Sequence, residues 1–140
     1  MANPANSTAY RLPDGRMAVN VTEAKTLAVT DCGYVQNVAY ASGVVTLPAT
    51  ATEGMWIIRN AGVVGTGKPE GSAGDGNLVS VSPNANDNIE GGVSGTATDD
   101  KDLQNTAATA RVGDEVTILN NARTGGPLCV GIKGVWAREA

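Results

Sequence analysis

The chain has no histidine and no phenylalanine among its 140 residues. Without histidine there is no Ser-His-Asp or Cys-His constellation, no imidazole general base and no ordinary zinc site. Aromatic residues are scarce, with two tryptophans and three tyrosines. That argues against a stacking platform for single-stranded nucleic acid. Lysine and arginine total 10 against 14 acidic residues, for a net charge of −4. An acidic chain neutralises few phosphates, so nucleic acid is not an expected partner. No apolar run approaches the ~18 residues of a membrane span, so no membrane is expected either. Residues Met1 to Arg16 lack the basic and apolar segments of a secretory signal. The two cysteines, Cys32 and Cys129, match no metal spacing. They read as reduced, buried thiols, with a disulfide as the alternative if their strands are neighbours.

Charged residues make up only 17% of the chain, against ~25% in an average domain. At 41% hydrophobic the chain is still too apolar to stay unfolded. Ala, Thr, Asn and Gly fill the difference, a composition suited to surfaces that meet other protein. The expected class is an all-β, single-domain β-sandwich or jelly-roll-like barrel with an extended N-terminal arm.

Residues 1–20 form the expected arm, and residues 21–140 the sandwich. The arm opens polar and aperiodic, and Leu12-Pro13-Asp14-Gly15-Arg16 carries a turn signal. Tyr10, Arg11 and Leu12 give it a compact anchor for a partner, since Tyr and Arg are enriched where binding energy concentrates. Beyond it, strands are expected at Thr26–Thr30, Tyr34–Tyr40, Val44–Leu47, Met55–Asn60, Leu78–Ser82, Glu115–Leu119, Leu128–Ile132 and Val135–Arg138. Ala41-Ser42-Gly43 reads as the turn of a hairpin. Pro48 and Pro83 end strands, having no N–H to give a ladder. Single helical turns are conceivable at Thr50–Met55 and Asp99–Thr106. A Gly-rich loop runs from Ala61 to Asn77 with six glycines. No internal repeat of fixed period is visible.

Four features invite a chemical interpretation. Gly62 to Lys68 satisfies the first seven positions of a phosphate-binding P-loop, but the eighth is Pro69, which has no hydroxyl for magnesium. Proline also turns Lys68 away from helical geometry, so the match is a coincidence of a Gly-rich loop. Asn84 to Gly91 alternates oxygen-bearing side chains as calcium loops do, yet it holds two carboxylates and lacks the register; it reads as a polar turn. Asp99, Asp100 and Asp102 form an acidic cluster that reads as a wet face rather than a catalytic pair. Trp56 and Trp136 lie within strands and read as core or subunit-interface packing. No enzyme activity, cofactor or metal is expected.

Several segments together resemble a known family. They are Asp31-Cys32-Gly33-Tyr34-Val35-Gln36-Asn37-Val38, Val45-Thr46-Leu47-Pro48-Ala49, Ile58-Arg59-Asn60-Ala61-Gly62 and Val79 to Ala85. Asp100-Lys101-Asp102-Leu103, Asn105-Thr106, Gly113-Asp114-Glu115-Val116 and the ending Gly134 to Glu139 continue the series. This order resembles the small β-rich decoration, or cement, proteins and head-fibre modules of tailed bacteriophages. The resemblance covers most of the chain after Thr30. It implies homotrimers seated on the major capsid protein, stabilising the head, made in the host cytoplasm and carried on the outer capsid surface of the virion. The alternative is a receptor- or glycan-binding module of a phage fibre or spike. Tyr10, Arg11 and Leu12 are the expected capsid contacts.

Overall fold

The computed structural model describes residues 9–49, 51–62, 76–85, 87–94, 100–120 and 126–140. Their strands, in chain order, are β1 (Tyr10–Arg11), β2 (Met17–Val21), β3 (Lys25–Thr26), β4 (Tyr34–Val38), β5 (Gly43–Thr46) and β6 (Gly54–Asn60). They continue as β7 (Val79–Ser82), β8 (Leu103–Asn105), β9 (Glu115–Asn120), β10 (Leu128–Lys133) and β11 (Ala137–Arg138). One sheet runs β1-β2-β4-β6-β9-β10 and the other β11-β8-β7-β5-β3. The two pack face to face, so the all-β sandwich expected from alternation is the observed fold.

From β2 to β7 the chain changes sheet at every strand. Each strand then lies parallel to the one two elements earlier: β4 on β2, β5 on β3, β6 on β4 and β7 on β5. The chain therefore winds three times around the core, each strand in one sheet serving as the crossover of the other. Parallel pairs need such crossovers, which a tight turn cannot supply. β8 and β9 then lie antiparallel on β7 and β6, and β9 and β10 form an antiparallel pair. Jelly rolls are antiparallel throughout. The four parallel pairs settle the architecture as a coiled sandwich.

The expected hairpin at Ala41–Gly43 is corrected by this winding. β4 and β5 belong to different sheets, so the segment between them is an arch across the core. All five β4 residues are buried, as befits a strand held between β2 and β6. The Tyr40 hydroxyl accepts from Val44 N–H (2.8 Å) and donates to Val44 O (3.2 Å), stapling the arch. A β-carbon at Gly43 would sit 2.3 Å from Val38 Cγ1, so glycine is required by close approach.

The strand expected at Thr26–Thr30 shrinks to β3. Asp31 Oδ2 accepts from Ala28 N–H (2.9 Å) and closes a 3-10 turn over Val29–Asp31. The helical turn conceived for Thr50–Met55 is not formed: Gly54 and Met55 already belong to β6, and Thr52 N–H donates to Ala49 O (2.8 Å) in a tight turn before it. The turn conceived for Asp99–Thr106 gives way at Leu103–Asn105 to strand β8, whose Leu103 and Asn105 face inward; Asp99 lies outside the described residues. The strand expected at Val135–Arg138 shrinks to β11, which pairs with β8 and not with β10.

The arm boundary at residue 20 falls inside β2. Residues 1–8 lie outside the described residues; Tyr10 and Arg11 pair with Ala18 and Met17 at the sheet edge. The expected turn joins them, with Gly15 N–H donating to Leu12 O (2.9 Å).

The core collects Trp56, Ile58, Val116 and Ile118 from the first sheet and Val45, Val79, Val81 and Leu103 from the second. Trp136 joins them, so both tryptophans are core residues. Cys32 and Cys129 are free thiols, and burial pushes the Cys129 thiol above its ordinary pKa.

Candidate interaction surface

Most polar side chains whose bonds are described serve the fold itself. On the outer face of the first sheet, Arg59 Nη1 donates to Asn37 Oδ1 (2.9 Å), and Asn37 Nδ2 donates to the Tyr10 hydroxyl (2.7 Å). That hydroxyl donates in turn to Asn20 Oδ1 (2.6 Å). The ladder crosses β6, β4, β1 and β2. Beside it Arg16 forks onto Glu115 with two 3.0 Å bonds and reaches Asp14 Oδ2 at 2.8 Å. The anchor expected from sequence is thus partly spent. Tyr10 is held by the ladder, Arg11 Nη1 donates to Gly15 O (2.9 Å), and Leu12 N–H donates to Arg16 O. Arg11 remains exposed and Leu12 half-buried.

A second network lies inside, at the neck of the Gly-rich segment. Asn60 Nδ2 donates to Asn105 Oδ1 (2.7 Å) and to Asn77 O (2.6 Å), while Asn60 Oδ1 accepts from Gly62 N–H (2.9 Å). Asn105 Nδ2 continues to Asp114 Oδ2 (3.1 Å) and Val135 O (3.0 Å). The neck is therefore pinned on both sides. Residues 63–75, with the P-loop-like Gly65, Gly67, Lys68 and Pro69, lie outside the described residues.

Near β3, Lys25 Nζ pairs with Asp31 Oδ1 (2.8 Å) and donates to Gln36 Oε1 (2.7 Å). Buried ion pairs of this kind need such extra bonds to offset desolvation. The adjoining cleft, lined by residues 20–25, has a volume of about 170 Å³. That is below the ~300 Å³ of ordinary small-molecule sites.

The acidic cluster is Asp100, Asp102 and Glu139; Asp99 lies outside the described residues. Asp102 N–H donates to Glu139 Oε2 (3.2 Å), and Glu139 N–H to Asp102 O (2.8 Å). No group of three His, Cys, Asp or Glu side chains could hold a metal among the described residues. In Asn84–Gly91, Asp87 N–H donates to Asn84 O (2.8 Å), the expected polar turn.

Burial is the main force pushing the Asp102 carboxyl above its ordinary pKa. A hydrogen bond with Ser82 opposes the rise, and the charges of Glu139 and Asp100 add to it. A raised acid pKa favours the protonated native state, so the stability Asp102 contributes is full below the ordinary aspartate range. It is lost as pH rises through the raised value. Asp102→Asn is expected to stabilise the protein at neutral pH and to lose that advantage at the acid end of the carboxylate range. Thermal melts of both proteins across that range measure it; an advantage constant with pH would contradict the assignment.

No family model, curated protein or solved structure matches the chain. The surface itself must therefore point to the function.

Its most distinctive part is one edge of the sandwich. Three of the four sheet edges are two-residue strands, β1, β3 and β11, while the fourth, β10, has six residues. Its start is covered by a bridge between Glu90 and Leu128. A bulge between Cys129 and Gly131 follows. From there Val130, Ile132 and, beyond the strand, Val135 are 49%, 39% and 56% exposed. Gly131 O accepts from Cys129 Sγ and Lys133 O from Trp136 Nε1 (3.0 Å). The edge is thus blunted against adding another strand, by bulge, lysine and occupied carbonyls. Its aliphatic side chains remain uncovered. Leu128–Ile132 reads from sequence as an ordinary strand; Gly131 within it and Lys133 just after it are the edge signals.

Proposed function

We propose that this chain is a non-enzymatic structural protein of a tailed-phage virion. It binds the major capsid protein on the outer surface of the head as a homotrimer and stabilises the shell. The exposed aliphatic edge at Val130, Ile132 and Val135 carries this reading: the protein offers contact area where an enzyme would offer a cleft with paired titratable groups. The family resemblance supplies the phage head as the setting. Threefold repetition multiplies weak contacts into avidity without chemistry.

The β1 hairpin, with Tyr10, Arg11 and Leu12, is the proposed foot on the capsid. Arg11 is its exposed member and Tyr10 its rigid one. A glycan-binding module is less well supported. Trp56, Trp136 and Tyr34 are buried, which removes three of the five aromatics from sugar stacking.

Co-sedimentation with heads of the encoding phage, assembled without this protein, is the test. The full chain is expected to pellet with the heads in a saturable manner. Arg11→Glu combined with Leu12→Asp is expected to weaken that binding by about tenfold or more, with the fold intact. A chain that stays in the supernatant yet adheres to host cells would overturn the reading in favour of the receptor-binding module.

A further inference from the structure

We propose that Arg59 and Lys133 form a seat for a single carboxylate of the capsid, beside the β1 hairpin. The inference rests on the capsid-binding reading above and names the chemistry that this face of the protein recognises. Three observations carry it.

The first is convergence. Arg59 of β6, Glu115 of β9 and Lys133 of β10 stand in one row across the outer face of the first sheet. Arg59 Nη2 and Lys133 Nζ lie 3.6 and 3.8 Å from the point a Gly113 β-carbon would occupy. Gly113 has a φ of 99°, a conformation that favours glycine, so no side chain fills that point. Like charges this close repel each other, and an anion seated between them relieves the repulsion.

The second is that the acid in their own row serves another cation. Glu115 stands between them but turns to Arg16, which also holds Asp14. Neither Arg59 nor Lys133 has an ion pair among the described residues. Arg59 Nη1 donates to Asn37 Oδ1, which fixes the plane of the guanidinium while Nη2 reaches toward Gly113. A guanidinium oriented in this way is suited to a carboxylate, whose oxygens match its fork.

The third is the balance of charge. Arg16, Arg59 and Lys133 set against Asp14 and Glu115 leave one positive charge in excess on this part of the face. Asp114, next to Gly113 in sequence, turns inward and accepts from Asn105 Nδ2 and Arg111 N–H. One carboxylate cancels the excess, whereas a phosphate dianion would exceed it. The Arg16–Glu115 fork joins the row to the β1 hairpin, so the seat and the foot at Arg11 and Leu12 share one surface. The occupant is accordingly an acidic side chain of the capsid protein on which that foot stands.

Two measurements on the full chain test this. In the first, amide NMR spectra are followed as acetate replaces chloride at constant ionic strength. Acetate is expected to shift the Gly113 and Lys133 amides in a saturable manner, and inorganic phosphate at neutral pH to shift them less. Lys133→Gln, at an exposed position, is expected to keep the fold and abolish the acetate response at Gly113. In the second, co-sedimentation with heads, Lys133→Glu is expected to weaken binding by about tenfold. Lys101→Glu makes the same charge change beside β8, where Lys101 Nζ donates to Ala140 O, and is expected to bind as wild type. An acetate response that is absent, or that survives Lys133→Gln, overturns the seat, as does a Lys133→Glu chain that pellets as tightly as wild type. Equal weakening by Lys101→Glu also overturns it, since net charge alone would then govern binding. A phosphate response stronger than that of acetate overturns the choice of a carboxylate and assigns the seat to free phosphate. A wild type that never pellets overturns the capsid reading, and the acetate response then judges the seat by itself.

Discussion

Trp56→Ala is expected to lower the unfolding free energy by about 3–5 kcal/mol, the usual cost of deleting a large core aromatic. Trp56 has no solvent exposure and sits in β6, between β4 and β9, opposite Ile118. Its indole Nε1 donates to Ala28 O at 3.0 Å. The ring therefore ties the first sheet to the 3-10 turn that brings the chain back from the second. Alanine would leave a cavity and strip Ala28 O of that bond together. Gly54 makes the site less forgiving, because its α-carbon is packed against the ring: a β-carbon there would stand 2.8 Å from Trp56 atoms and 2.6 Å from Cys32 Sγ. Against a total stability of ~5–15 kcal/mol for a domain of this kind, the loss would move the denaturation midpoint far toward zero denaturant. Urea titration followed by circular dichroism measures it, and Trp136 remains as a fluorescent reporter. A loss under about 1.5 kcal/mol would mean that the interior collapses around the smaller side chain.

The same residue shows what a sequence of this kind reveals. Leu78–Ser82 and Glu115–Leu119 alternate apolar and polar residues, Met55–Ile58 is an apolar run of strand length, and the corresponding strands β7, β9 and β6 are where those patterns put them. Burial on one face is a local property, so it is legible. Partnership is not. Met17 pairs with Tyr34, Val35 with Ile57 and Gly43 with Val79. These steps are unequal because the connectors differ in length, and the last contains the Gly-rich segment. A winding fold with unequal turns leaves no period to read, and Ala41-Ser42-Gly43 resembles a hairpin turn whether the chain reverses within a sheet or arches across the core.

The interaction surface was less legible for a related reason. Val130, Ile132 and Val135 look like core residues until the sheet order places β10 at an edge. Tyr10 looks like part of a loose arm until Asn20 and Asn37 bracket its hydroxyl. Asn60 and Asn105 look like polar strand ends, yet both are fully buried and bonded to each other. In each case the deciding neighbour is remote in sequence.

Asn60→Ala is expected to cost about 2–4 kcal/mol and to loosen the neck of the Gly-rich segment specifically, since each polar group left buried and unpaired costs about 1–3 kcal/mol. Asn60 follows Ile58 on the inward face of β6, where the core gives way to polar groups. Its amide serves both ends of the neck. Oδ1 accepts from Gly62 N–H as the chain leaves and, at 3.4 Å, from Asn77 N–H as it returns. Nδ2 donates to Asn77 O and to Asn105 Oδ1. Alanine removes all four bonds. The backbone of residue 60 keeps its place, because Asn60 N–H donates to Asp114 O and Asn60 O accepts from Gly113 N–H, each at 2.8 Å. The damage should therefore be uneven. Amide exchange is expected to accelerate most at Gly62 and Asn77, and at Ile58 and Val116 only in proportion to the global loss of stability. Asn60→Asp separates the two halves of the effect. It retains an acceptor for Gly62 and Asn77 N–H but sets a carboxylate against Asn105 Oδ1 and Asn77 O, so it should destabilise the fold while protecting the Gly62 amide better than alanine does. Uniform acceleration at all four amides in Asn60→Ala would instead mean that Asn60 supports the core as a whole and holds the neck only incidentally.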